Sequence, residues 1–227
     1  MRYKVDFIRV RYNRLAPIYP LFDLLFWLPR NISVNAVKRL DLKSGDKVLE
    51  VGCGTGRNLS RLVEAVGPSG EVFGVDCCDG MLAKARELCA RHQWQNVKLS
   101  QQDAAEMVVP APVDGVLFSL SYTVIPEPLT ALAQAWKYLR PERHIVIMDG
   151  KLARGLVGRL SRPVISFLSE ATVLGHLDRQ PWEDLKSFTP QVEVEEINFG
   201  TYYICRGTKL SSLIADRVGD SKVARGS

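Results

Sequence analysis

Residues 47–56 read Lys47-Val48-Leu49-Glu50-Val51-Gly52-Cys53-Gly54-Thr55-Gly56. The first five form a short β-type run, set off by the turn signal Ser44-Gly45-Asp46. After the glycines, Asn58 to Val66 carries Leu59, Leu62, Val63 and Val66 at helical spacing. A strand that passes through a glycine loop into a helix offers unpaired N–H groups and lets a ligand approach the backbone closely. The spacing departs from the dinucleotide pattern G-x-G-x-x-G, because the third glycine comes one residue early and Arg57 holds the expected slot. Glu50 also stands two residues before the first glycine, where an apolar residue is usual. A carboxylate there repels a pyrophosphate and favours an ammonium, so the loop reads as a receptor for a cationic amino-acid end.

The same alternation continues outward. Glu71 to Val75 is a second strand that stops at Asp76, and a helix follows from about Gly80 to Arg91. Val97 to Gln101 is a third strand that stops before Asp103, and Val113 to Ser119 is an almost purely apolar fourth. A helix over about Pro128 to Leu139 leads to a fifth strand, His144 to Met148. Strand–helix–strand repeated from 45 to 150 implies a doubly wound α/β domain with a parallel sheet. Val192 to Phe199 and Thr201 to Thr208 read as two late strands about Gly200. Asp76 falls 24 residues after Gly52 and can accept from both hydroxyls of a ribose. Asp103, at the next strand end, can accept from an exocyclic adenine amine. The ligand inferred from these acids has an ammonium, a ribose and an adenine, and no phosphate.

The stretch KVLEVGCGTGRN…GEVFGVDCCDGMLAKAR…LSQQDAAEM resembles the class I S-adenosylmethionine-dependent methyltransferases. It is most similar to the quinone C-methyltransferase and phospholipid N-methyltransferase branch. The resemblance implies a Rossmann-like seven-stranded sheet, mostly parallel with an antiparallel last strand, and S-adenosylmethionine as cofactor. It implies that Glu50, Gly52 and Gly54 hold the methionine end, with Cys53 and Asn58 beside them. Asp76 would hold the ribose, Cys77 and Met81 would line the adenine, and Asp103 and Ala104 would meet its edge. Ser119 would pass beneath the reactive sulfur, and Tyr12, within YNRLAPIY, would close over the cofactor. The turn before the fifth strand departs from the family's Pro-Gly-Gly and is Pro141-Glu142-Arg143. The expected organisation is a helical cap of the active site over 1–40, a methyltransferase domain over 41–210 and a disordered tail over 211–227.

The acceptor is less legible. Methyl transfer from a sulfonium is an in-line displacement that needs positioning and exclusion of water, not a metal. Tyr122 and Asp149 are candidates to orient an acceptor, whereas His144 and His176 read as structural. The Asp/Asn-Pro-Pro-aromatic element of nucleic-acid amino-methyltransferases is absent after Ser119, so no nucleic-acid partner is expected. The net charge of +5, from 30 Lys+Arg and 25 Asp+Glu, is uneven. Residues 1–14 and 151–163 carry +4 each, which leaves the rest slightly acidic. The second segment is a cationic amphipathic helix on a wheel, and the first runs into the aromatic stretch Tyr19 to Leu28, suited to an anionic membrane surface. That stretch is too short to span a bilayer.

The first expectation is therefore methyl transfer to a lipid or amphiphilic amine headgroup, by a cytoplasmic protein in peripheral contact with the inner face of the membrane. A soluble or quinone-like small-molecule acceptor is the second, and a non-catalytic S-adenosylmethionine-binding module the third. Five cysteines without zinc-knuckle spacing read as reduced thiols. No sequence feature fixes the oligomeric state.

Overall fold

The computed structural model describes residues 5–17, 30–151, 179–197 and 200–211. Two helices, α1 (Val5–Leu15) and α2 (Arg30–Lys38), precede β1 (Lys47–Val51), α3 (Leu59–Val66), β2 (Glu71–Asp76), α4 (Asp79–His92) and β3 (Val97–Gln101). Then follow β4 (Val113–Ser119), α5 (Pro128–Tyr138), β5 (Leu139–Gly150), α6 (Pro181–Lys186), β6 (Val192–Ile197) and β7 (Tyr202–Thr208). The seven strands form one sheet in the order β3-β2-β1-β4-β5-β7-β6. The first five pair in parallel, and β7 runs antiparallel to both β5 and β6.

Strand periodicity decides which face each side chain serves. Leu49 and Val51 of β1, Val116 and Phe118 of β4, and Ile145 and Ile147 of β5 join one core layer, with Leu132 and Ala135 of α5 and Leu185 of α6. Val48, Leu117, Val146 and Ile204 face the other layer, against Ile32, Ala36 and Val37 of α2 and Leu59, Leu62 and Val66 of α3. Both faces being covered explains the near-continuous apolar strands. The two helices of the N-terminal segment thus do different jobs: α2 fills the core, whereas α1 packs on α4. The Asn13 side chain of α1 accepts from the Gly80 amide at 2.9 Å and ties α1 to the start of α4.

The fifth strand is longer than the sequence suggests. Pairing with β4 jumps from Val113↔Leu139 to Gly115↔His144, so Arg140 to Arg143 bulge out within β5. Glu142 has φ 60° there, and its amide donates to the Lys209 carbonyl at 2.6 Å. The Pro141-Glu142-Arg143 turn is a bulge held by the chain's C-terminal part, not a free loop. The aromatic stretch Tyr19 to Leu28, His176, most of segment 151–163 and the tail beyond 211 lie outside the described residues. No helix among the described residues is long and apolar enough to cross a membrane.

Candidate active site

In the strand order, β2 and β3 lie to one side of β1, and β4 and β5 to the other. That reversal puts a crevice at the carboxyl ends of β1 and β4, where open α/β sheets bind ligands. The cavity found there has about 920 Å³ of empty space, its open mouth included, and opens to solvent. Of the residues singled out from sequence, Tyr12, Glu50, Gly52, Cys53, Asn58, Asp76, Cys77, Met81, Asp103, Ala104 and Ser119 all stand on its wall.

The glycine loop sets the geometry. Gly52 has φ +72°, and a Cβ there would sit 2.4 Å from Ser121 Cβ, so only glycine fits. Ser121 is fixed by donating to the Val51 carbonyl at 2.6 Å. Gly54 does not reach the wall. Its amide instead donates to Asp76 Oδ2 at 2.8 Å, while the Cys78 amide donates to Oδ1 at 2.8 Å. Asp76 is thereby locked with both oxygens retaining acceptor capacity. Burial raises its carboxyl above the usual range, and the amide bonds offset part of that.

Glu50 is 1% exposed and accepts from Asn58 Nδ2 at 2.6 Å through Oε1. Burial pushes its carboxyl up to about 8; the Asn58 bond opposes this and nearby Asp76 adds to it. Two buried acceptors, Glu50 Oε2 and Asn58 Oδ1, have no hydrogen-bond partner in the described structure. Orphaned buried acceptors are costly and rare. An ammonium, with three N–H donors and a positive charge, satisfies both.

The rest of the wall is mostly apolar, with Thr55, Arg57, Gln102 and Ser121 as its polar members. Val5 and Ile8 come from α1, and Leu120, Val124, Ile125 and Pro126 from the loop after β4. Leu120 sits at φ 54°, an uncommon conformation for a branched side chain. This loop is held from behind by residues the sequence did not connect. Asp149 Oδ2 accepts from the Thr123 amide at 3.0 Å and its hydroxyl at 2.9 Å. Arg179 donates to the carbonyls of Tyr122, Thr123 and Ile125 at 3.1, 3.0 and 2.6 Å.

Two candidates, Tyr122 and Asp149, are corrected by this geometry, and His144 takes the structural place expected of it. Tyr122 is fully buried, packs edge-on against Phe118 and donates to Asp184 at 2.8 Å. It is off the cavity wall, and its hydroxyl proton is committed to Asp184. Asp149 is 4% exposed and spends its oxygens on Thr123 and on the Gly150 amide. It anchors the loop rather than touching a ligand, and burial pushes its carboxyl up to about 6. His144 contacts Thr208 and Arg206, away from the wall. The exposed face of α1 carries Phe7 and Val10 with Arg9 and Arg14. From the second basic segment only Lys151 is described, and it pairs with Glu196 at 2.5 Å.

The family follows from the sequence over this same region. Residues 42–178 match the model of the family described as Methyltransferase domain. The chain belongs to this family. Similar methyltransferases include the demethylmenaquinone methyltransferases of Geobacillus sp. (strain WCH70), 33% identical over 118 residues, and of Anoxybacillus flavithermus (strain DSM 21510 / WK1), 31% identical over 141. These matches cover 51% and 61% of this chain and 50% and 60% of the relatives, so the chain spans little more than half the length of the curated methyltransferases it matches. Among solved structures, a chain from the complex of the Haloferax volcanii Trm112 methyltransferase activator with a methyltransferase superposes with a TM-score of 0.71 at 16% identity, covering 89% of this chain and 97% of that one. The Haemonchus contortus Phospholethanolamine N-methyltransferase 2, in complex with phosphomonomethylethanolamine and S-adenosylhomocysteine, gives 0.67 at 17%, covering 80% and 53%. These likenesses show the methyltransferase fold, a mostly parallel seven-stranded sheet with one antiparallel strand.

Proposed function

We propose that this chain is an S-adenosylmethionine-dependent methyltransferase whose acceptor is an apolar, ring-bearing small molecule of the quinol class. The observation that carries the cofactor reading is the orphaned acceptor pair, Glu50 Oε2 and Asn58 Oδ1, facing the same cavity as Asp76. When bound, S-adenosylmethionine supplies a methyl group on a sulfonium. Glu50 and Asn58 receive the ammonium of the amino-acid end. Asp76 accepts from the ribose hydroxyls, with Cys77 and Met81 on one side of the adenine and Asp103 and Ala104 at its edge. Asp103 Oδ1 already accepts from the Ala105 amide at 2.9 Å, which holds the carboxylate in place. Ser119 and the loop that follows run beneath the reacting centre, and Tyr12 closes α1 over it. We assign 41–210 to the transfer domain and α1 to its cap.

The acceptor reading rests on the apolar wall. Val5, Ile8, Val124, Ile125 and Pro126 offer no carboxylate to receive an amine headgroup, and they suit a flat apolar ring. The names of the demethylmenaquinone methyltransferase relatives point the same way. The lipid-amine reading is kept second, because the exposed basic and apolar residues of α1 suit an anionic membrane surface. Purified protein is incubated with methyl-labelled cofactor and either a reduced demethylated naphthoquinone or phosphatidylethanolamine vesicles. Label on the quinol is the expected result. Label on the phospholipid alone establishes the second reading, and no transfer to either acceptor refutes both.

A further inference from the structure

At the end of β2 the chain places two cysteines side by side, Cys77 and Cys78, with their sulfurs 3.5 Å apart. Together with a carboxylate oxygen of Asp76 they form a group whose ligand atoms all lie within 4.8 Å of one another. Both cysteines stand on the cavity wall, beneath Tyr12 and Ala16 and beside Met81. They are thus reachable from the cavity even though Cys78 is 2% exposed. We propose that Cys77 and Cys78 are a dithiol site for a thiophilic ligand of the trivalent arsenical class, and that its occupation excludes the cofactor. The exclusion rests on the cofactor reading above; the dithiol site does not.

The geometry suits a bidentate sulfur ligand. Two sulfurs on one tetrahedral ion, each about 2.3 Å from it, lie a little under 4 Å apart, so the observed separation needs little adjustment. The chemistry favours a ligand that takes thiols rather than thiolates. The contact with the Cys77 sulfur, burial and neighbouring Asp76 push the Cys78 thiol well above its usual range. A divalent cation binds thiolates and so has to displace both thiol protons. A trivalent arsenical condenses with neutral thiols: two S–As bonds form, the arsenic–oxygen bonding breaks, and both thiol protons leave with that oxygen as one water. Nothing is oxidised or reduced. Asp76 is left beside the arsenic, so the residue assigned to the ribose shares the blocked space. The other three cysteines, Cys53, Cys89 and Cys205, are free thiols too, which makes them internal controls.

The test uses phenylarsine oxide on the full chain. Intact-protein mass spectrometry should show one tightly held adduct, removed by dimercaptopropanol. Cys77→Ser and Cys78→Ser should each weaken it at least about 100-fold, because the second sulfur closes an intramolecular ring, whereas Cys89→Ser, away from the cavity, should retain it. Calorimetric binding of S-adenosylhomocysteine should be lost in the adduct and restored when dimercaptopropanol removes the arsenical. An adduct that survives either serine substitution at 77 or 78 overturns the dithiol site. Unchanged S-adenosylhomocysteine affinity in the adduct overturns the exclusion while leaving the cofactor reading intact. If untreated protein does not bind S-adenosylhomocysteine, the cofactor reading and the exclusion both fall, and the adduct's dependence on both sulfurs still decides the dithiol site.

Discussion

Glu50→Gln should make the ligand-free protein more stable and worse at binding its cofactor, both for one reason. The wild-type carboxyl is pushed from 4.5 up to about 8 by burial, so the folded state holds its proton more tightly than the unfolded chain does. Folded and unfolded forms are equally protonated below about pH 4.5, and stability is lost as pH rises through that value toward about 8. At about 1.36 kcal/mol per pH unit, the cost reaches about 3 kcal/mol at pH 7 and nearly 5 kcal/mol above pH 8. Glutamine keeps the shape, carries no charge, and its amide can donate to Asn58 Oδ1, which has no partner now. A chain of this size shifts by about 2–4 °C per kcal/mol, so the variant should melt roughly 10 °C higher at pH 8 and show little gain near pH 5. With the ammonium's charge partner gone, S-adenosylhomocysteine should bind about 10- to 100-fold more weakly, from 1.5–3 kcal/mol for a hydrogen bond to a charged group. Thermal melts across pH and calorimetry on both proteins measure the pair of effects. A variant that melts no higher at pH 8 and binds with wild-type affinity would refute the account of Glu50.

The same proton should be visible in wild-type binding. Receipt of an ammonium requires ionised Glu50, so affinity for S-adenosylhomocysteine should rise with pH toward about 8, with proton release seen as buffer-dependent heat; a flat profile contradicts this. Gly52→Ala should abolish binding and destabilise the fold by several kcal/mol, since the added Cβ meets Ser121 at 2.4 Å at positive φ. A soluble variant that melts like wild type would be unexpected. Tyr122→Phe removes the bond to Asp184 and should cost about 1–2 kcal/mol of stability with kcat unchanged, measured by denaturant titration and turnover. A large fall in kcat with stability intact would return Tyr122 to the chemistry. Leu117→Ala, at a fully buried position in mid-sheet, should cost about 2–5 kcal/mol by the same titration.

What could be read from the chain was whatever local rules write into it. Short, nearly continuous apolar runs ending at Val51, Asp76 and Ser119, punctuated by glycine, place the strand tips and therefore the cofactor side. The acceptor side follows no such rule. Residues 120–126 have no period, so nothing in the order Ser121-Tyr122-Thr123-Val124 says that Tyr122 and Thr123 turn inward while Ser121 and Val124 face a cavity. That choice is made by Asp149, Arg179 and Asp184, which reach the loop from 26 to 62 positions away. Long-range hydrogen bonds of this kind have no sequence signature. In the Glu50–Asn58 pair, eight residues apart across the loop, Glu50 is legible from its charge ahead of the glycines, whereas Asn58 enters only through the resemblance. Gly54 shows the converse: its place in the motif is plain, and its amide holds the Asp76 carboxylate, which the motif alone does not say.

Arg179 hooks three carbonyls of the wall-forming loop, and it stands one residue past the segment 42–178 that matches the family. Helix α1, which supplies Val5 and Ile8 to the opposite wall, lies before that segment. The molecule is therefore built like a fixed socket with an exchangeable faceplate. Exchanging residues 5–11 together with 179–211 between relatives, with Tyr12 and Asn13 kept, should move acceptor choice and leave the cofactor's grip where it was.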